Sequence, residues 1–201
     1  MQLHSLAKMV TVVLVEVPNA DLGCLSSLTC VTSLTLLAAH QPTDLTDSLA
    51  ELHNLLHLHT LSLTGYLGLS DKLTGLTSLR KLKLTSGTDA ACDMSHMQQL
   101  SALILSGIDS ALHRVTLPSS TSLVRLQHLR FADIVDGGDM AVQNFERENL
   151  EAAQELNVLE FGSCYPSNVN RPDGWPRSLP HLRSLRLHCM SYEPPFADIV
   201  H

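Results

Sequence analysis

The stretch HNLLHLH, residues 53 to 59, sets two imidazoles four positions apart and a third two further on. On a helix His53 and His57 would share one face, which is a spacing used by zinc ligands. A closed site needs further donors, and no carboxylate or cysteine is spaced to complete it. No metal is expected. His53 and His57 are expected on a solvated face opposite Leu52, Leu55 and Leu56, with His59 on the exposed side of a following strand. The five cysteines (Cys24, Cys30, Cys92, Cys164 and Cys189) are odd in number, and no two form C-x-x-C. They make neither a disulfide framework nor a zinc motif. Reduced thiols and a cytoplasmic (or nuclear) location fit them. Cys164 is expected as a buried structural thiol, and nothing near Cys189 would activate it as a nucleophile. The chain has no G-x-x-x-x-G-K-[ST], no G-x-G-x-x-G after a strand, no H-E-x-x-H and no G-x-S-x-G. No catalytic residue and no cofactor is expected, and the chain is not read as an enzyme.

Any remaining chemistry must come from surfaces, so the elements that build them matter. Residues 75 to 87, GLTSLRKLKLTSG, carry leucines at 76, 79, 82 and 84, with Arg80, Lys81 and Lys83 among them. The step of two marks a strand, with Leu82 and Leu84 on one face and Lys81, Lys83 and Thr85 on the other. The steps of three fit a tight, 3-10-like return. The same three-three-two spacing recurs at Leu6-Met9-Val12-Leu14, at Leu28-Val31-Leu34-Leu36 and at Leu55-Leu58-Leu61-Leu63. It continues at Met97-Leu100-Leu103-Leu105, Leu123-Leu126-Leu129-Phe131, Ala153-Leu156-Leu159-Phe161 and Leu179-Leu182-Leu185-Leu187. Corresponding strand residues lie 22, 27, 21, 21, 26, 30 and 26 positions apart. No single unit buries enough apolar surface to order itself, so units must stack.

These eight L-x-x-L-x-L units resemble the leucine-rich repeat family, over nearly the whole chain. The resemblance implies an α/β solenoid: a horseshoe with a parallel concave sheet and mixed helix, 3-10 and loop returns on the convex side. Residues 1–190 are expected to form the array and 191–201 a C-terminal tail. The turn position where the family carries Asn or Cys instead holds Val17, Ala39, Tyr66, Gly87, Ile108, Ile134, Cys164 and Met190. Only Cys164 conforms, so the inner turn is expected to be irregular. Helices are expected over Asp44 to Leu56 and over Met140 to Leu156, and an ordered surface loop over Tyr165 to Pro180. Proteins of this kind serve as ligand-sensing parts of receptors, as substrate receptors of ubiquitin ligases or as regulatory scaffolds. The resemblance therefore implies a protein-interaction module that forms part of a larger receptor or adaptor array.

The register then names the ligand-facing residues. The central column reads Val13, Thr35, Ser62, Lys83, Ile104, Arg130, Glu160 and Arg186, and flanking columns add His59, Arg80, Lys81, His128, Arg183 and His188. Six of the thirteen lysines and arginines fall there, against three of the twenty acids: Glu16, Asp133 and Glu160. Partner binding is assigned to Arg80, Lys81, Lys83, His128, Arg130, Arg183, Arg186 and His188, with another protein, bearing an acidic surface, as the partner. Trp175 is a candidate loop anchor. The competing reading gives these cations only a solubilising, anti-aggregation role.

Nucleic acid is the alternative ligand, disfavoured by a formal net charge of −7 and by aromatics at 4% of residues. MVTVVLVEV after Lys8 has the look of a short signal-peptide core, but Glu16 interrupts it and no cleavage site follows. No apolar run reaches the roughly 20 residues a membrane helix needs, so no membrane partner is expected. Because the repeat runs close to both ends, self-association through uncapped ends is expected, and a truncated array without independent function is a further alternative.

Overall fold

A computed structural model describes residues 11–15, 29–38, 43–44, 52–67, 73–85, 92–94, 96–107, 115–116, 123–132, 142–143, 150, 152–162 and 179–187. Wherever leucine alternates with polar or charged residues, the chain is extended. Eight strands result: β1 (Thr11–Val15), β2 (Ser33–Leu37), β3 (Thr60–Thr64), β4 (Lys81–Thr85), β5 (Ala102–Ser106), β6 (His128–Ala132), β7 (Val158–Phe161) and β8 (Ser184–Leu187). They form one parallel sheet whose spatial order is the chain order. This is a solenoid-like repeat, in which each return brings the chain back to lay the next strand beside the last.

The register is uninterrupted. Val12 pairs with Leu34, Leu34 with Leu61, Leu61 with Leu82 and Leu82 with Leu103. Leu103 then pairs with Leu129, Leu129 with Leu159 and Leu159 with Leu185. Leu34, Leu61, Leu82 and Leu103 are wholly buried, as are Leu36, Leu63, Leu84 and Leu105 one step along each strand. In the second row the leucines give way to Phe131 and Phe161, whose rings stack at 5.7 Å between centroids. A slip of one residue in any strand would turn its leucines out to water and its polar residues into this core.

The steps of three are tight turns. The Leu55 N–H donates to the Leu52 carbonyl and Leu58 to Leu55, both at 2.9 Å. Leu76 and Leu79 repeat the arrangement from Leu73 and Leu76, and Ala153 and Leu156 from Leu150 and Ala153. These i to i+3 bonds place every third side chain inward. The buried spine therefore reaches one step earlier than the three-three-two spacing, to Leu52, Leu73, Met94 and Leu150.

Two expected helices are corrected at their described residues, although Leu150 and Ala152, near the end of the second, are helical. Thr43–Asp44 is a short strand paired with Tyr66–Leu67, and residues 52–54 form one 3-10 turn. Leu56, expected on a buried helical face, is 71% exposed, because a period of three turns it away from Leu52 and Leu55. Val142–Gln143, inside the second expected helix, pairs with Val115–Thr116, which in turn pairs with Cys92–Asp93. The described returns thus contain short parallel strands as well as turns. Of the column expected to carry Asn, Tyr66 is described and starts one of these short strands; the other seven residues lie outside the described residues. Gly65 makes the turn just before Tyr66 at φ +77°, where a Cβ would stand 3.0 Å from the Ala38 Cβ. Both the backbone angle and the neighbour favour glycine there.

Candidate functional site

Because buried leucines alternate along each strand, the residues between them are forced onto the open face. On β4 Lys81 and Lys83 are exposed while Leu82 and Leu84 are completely buried. Arg80 immediately precedes them and is also exposed. Its place is fixed by a backbone ladder that extends the sheet by one position. The Arg80 N–H donates to the His59 carbonyl at 2.8 Å, and the Ser101 N–H to the Arg80 carbonyl at 2.7 Å. Gln127, Asn157 and Arg183 continue it toward β8.

Across the sheet, the expected columns are present. Lys81, Ala102, His128, Val158 and Ser184 are successive register partners, as are Lys83, Ile104, Arg130, Glu160 and Arg186. On the open side, then, the structure brings together Arg80, Lys81, Lys83, His128, Arg130, Arg183 and Arg186. His188 and Trp175 lie outside the described residues.

The cations divide into two groups. Glu160 stands between Arg130 and Arg186 and pairs with both, at 3.5 and 3.2 Å. Its side chain is only 11% exposed, whereas those of Arg130 and Arg186 are 49% and 64% exposed. A nearly buried carboxylate needs such compensation, so these two arginines are held by the sheet's own acid. Among the described residues, Arg80, Lys81, Lys83 and Arg183 have no ion-pair partner. Three of those four belong to β4 and the residue before it.

His128 sits between the two groups. Burial, first of all, holds its imidazole below the ordinary pKa of 6.5. Lys81, Arg130 and Arg186 act in the same direction, while Glu160 opposes them. It is therefore neutral at pH 7 and adds no charge to the face. Its Nε2 is buried without a hydrogen-bond partner.

The histidines that opened the metal question are separated by the turn. His53 and His57 are exposed, and His59 is half-buried beside β3. No group of three histidine, cysteine or acidic side chains converges among the described residues. Cys30 is a free, exposed thiol; Cys164 and Cys189 lie outside the described residues. Among the described residues no helix is long and apolar enough to cross a membrane.

Two features were not anticipated from sequence. One is the role of Glu160 as counter-charge, which the column alignment could have signalled by flanking it with arginines. The other is an open groove of about 600 Å³ at the rim beside Arg80, bordered by His59, Thr77, Ser78 and the turn carrying His96, Gln98 and Gln99. Its residues come mostly from returns, whose side chains do not repeat, so no sequence signal marks it.

No family model matches the chain, and no curated protein does. Among solved structures the chain is similar to an internalin (inlF) from Listeria monocytogenes, at 17% sequence identity and a TM-score of 0.37. The alignment covers 90% of this chain and 68% of that one. The fold assignment rests on the sheet itself.

Proposed function

We propose that the chain is a leucine-rich-repeat horseshoe whose open sheet face recognises another protein, and that the partner lays an acidic surface over β4. One observation carries this reading: Arg80, Lys81 and Lys83 stand exposed within four positions at the entry of one strand, with no internal counter-ion among the described residues. In a chain of net charge −7, three adjacent uncompensated cations make a local field of opposite sign to the whole. An open face of eight strands suits a macromolecule better than a small substrate, which needs a deep pocket. In this reading the chain is one part of a larger cytoplasmic receptor, adaptor or scaffold array, and it does no chemistry of its own.

The same cations would also attract a nucleic acid. The described sheet columns offer no exposed phenyl, phenol or indole ring for base stacking, since Phe131 and Phe161 are fully buried. The protein reading is therefore preferred.

The test is binding of a labelled polyglutamate peptide by fluorescence anisotropy, at low and at physiological salt. Lys81→Ser with Lys83→Ser should weaken binding about tenfold or more, since each charge-assisted contact is worth roughly 1.5–3 kcal/mol. Equal affinity of the folded variant and the parent would reject the reading.

A further inference from the structure

Arg80 differs from Lys81 and Lys83 in one respect: it borders both the sheet face and the rim groove. We infer that this groove is an oxyanion subsite, which takes a carboxylate or phosphate carried on a side chain of the partner peptide, with the Arg80 guanidinium as its anchor. The inference rests on the protein-recognition reading above and specifies where the peptide's most strongly held anion goes.

The donor inventory points the same way. Among the described residues that border the groove none is acidic, while Thr77 and Ser78, which carry hydroxyls, line it together with Arg80. Gln99 is set as a donor, because its side-chain oxygen already accepts from Arg125 at 2.8 Å, which leaves its amide hydrogens for a ligand. His96 is fixed as a wall, its Nε2 bonded to the Leu73 carbonyl at 2.8 Å. A carbonyl only accepts, so that nitrogen carries the proton. Guanidinium, hydroxyls and an amide NH₂ around one open space match the acceptor oxygens of an oxyanion, and the planar fork of arginine binds such a group bidentately.

Spacing extends the match to the partner's sequence. Lys81 and Lys83 are two strand positions apart, about 6.6 Å along β4, which is also the repeat of alternate side chains on an extended peptide. An extended segment with acids at alternate positions can therefore meet both lysines while its end reaches Arg80 at the rim. The face thus favours an acid-x-acid segment with a further anion beyond it for Arg80 over a random acidic one.

The experiment compares two labelled peptides, one with alternating glutamates and one in which the terminal glutamate is replaced by phosphoserine, on the full chain and on Arg80→Lys, Gln99→Glu and the Lys81→Ser/Lys83→Ser pair. Arg80→Lys keeps the charge and removes the fork, so it should weaken both peptides about tenfold. Gln99→Glu sets a carboxylate in the groove and should do the same without touching the sheet face. A stronger effect on the phosphoserine peptide identifies phosphate as the source, and equal effects identify carboxylate; both support the subsite. If the lysine pair weakens binding while Arg80→Lys and Gln99→Glu leave it unchanged, the subsite is wrong and the protein-recognition reading survives. If the lysine pair also has no effect, both fall. An RNA oligonucleotide that binds more tightly than either peptide, with the same sensitivity at Arg80, overturns the peptide occupant. Unchanged thermal melting of each variant shows that the loss is local.

Discussion

Lys83 and Arg130 stand two strands apart in one column of the sheet, separated by Ile104, and they carry the same charge. Around β4 that charge has no partner among the described residues, whereas at β6 the acid of β7 takes it up together with Arg186 of β8. The two regions share backbone geometry, register and solvent side. What separates them is one neighbour, Glu160. A basic column is therefore not a uniform surface: at one end it holds the sheet together, and near the middle it is left for something else. Exposed ion pairs contribute little by themselves, but Glu160 is nearly buried, and its partners matter for that reason.

The core beneath differs in the same sense, and deleting it gives the largest expected effect. Under β4 the second row is leucine; under β6 and β7 it is the stacked pair Phe131 and Phe161. Phe131→Ala should cost about 3–5 kcal/mol and Leu84→Ala about 2–5 kcal/mol by chemical denaturation, the phenylalanine leaving the larger cavity. A greater loss at Leu84 would mean that the aromatic stack is not the better-packed half.

Next in size is the ion-pair contrast. Replacing both Arg130 and Arg186 with serine strands the Glu160 carboxylate and should destabilise by about 1–3 kcal/mol. Lys81→Ser with Lys83→Ser should stay within about 0.5 kcal/mol, as for surface residues without partners. Equal losses for the two pairs, measured by urea titration, would erase the distinction between the regions.

The smallest effect concerns His128, between the two groups. Burial lowers its pKa, aided by Lys81, Arg130 and Arg186 and opposed by Glu160. As pH falls through 6.5 the unfolded chain takes up a proton that the folded chain still refuses, so stability falls with it. The loss levels off once the folded imidazole is protonated too. Above 6.5 the contribution is constant. The melting temperature of His128→Gln should therefore drop less than that of the parent between neutral and mildly acid pH, and parallel curves would contradict the assignment.

How far the sequence could be read follows from periodicity. The rows through Leu34, Leu61, Leu82, Leu103, Leu129, Leu159 and Leu185 are legible because the step of two recurs in every unit, and they pair as expected. The Asp44 to Leu56 region was misleading because apolar residues at 45, 49, 52, 55 and 56 fit a period of 3.6, while 49, 52 and 55 among them also fit a period of three. Over so few turns the two cannot be told apart, and the exposed Leu56 shows which one the fold uses. The same ambiguity hid Leu52, Leu73, Met94 and Leu150 as an extra rung. For the site, the columns follow from the register, and the charge pairing follows only once Glu160 is set beside its strand neighbours. The rim groove is built from Thr77, Ser78 and Gln99, at return positions whose residue types vary from unit to unit, so repetition gives no hint of it.

The most direct test of the account is a side-by-side binding measurement with the alternating-glutamate peptide. Serine at positions 81 and 83 should cut affinity about tenfold or more, while serine at 130 and 186 should leave it within about twofold once reduced stability is allowed for by working well below melting. If instead the pair at 130 and 186 carries the greater loss, the charges bound by Glu160 are the ones that recognise the partner, and the division between the two regions is wrong.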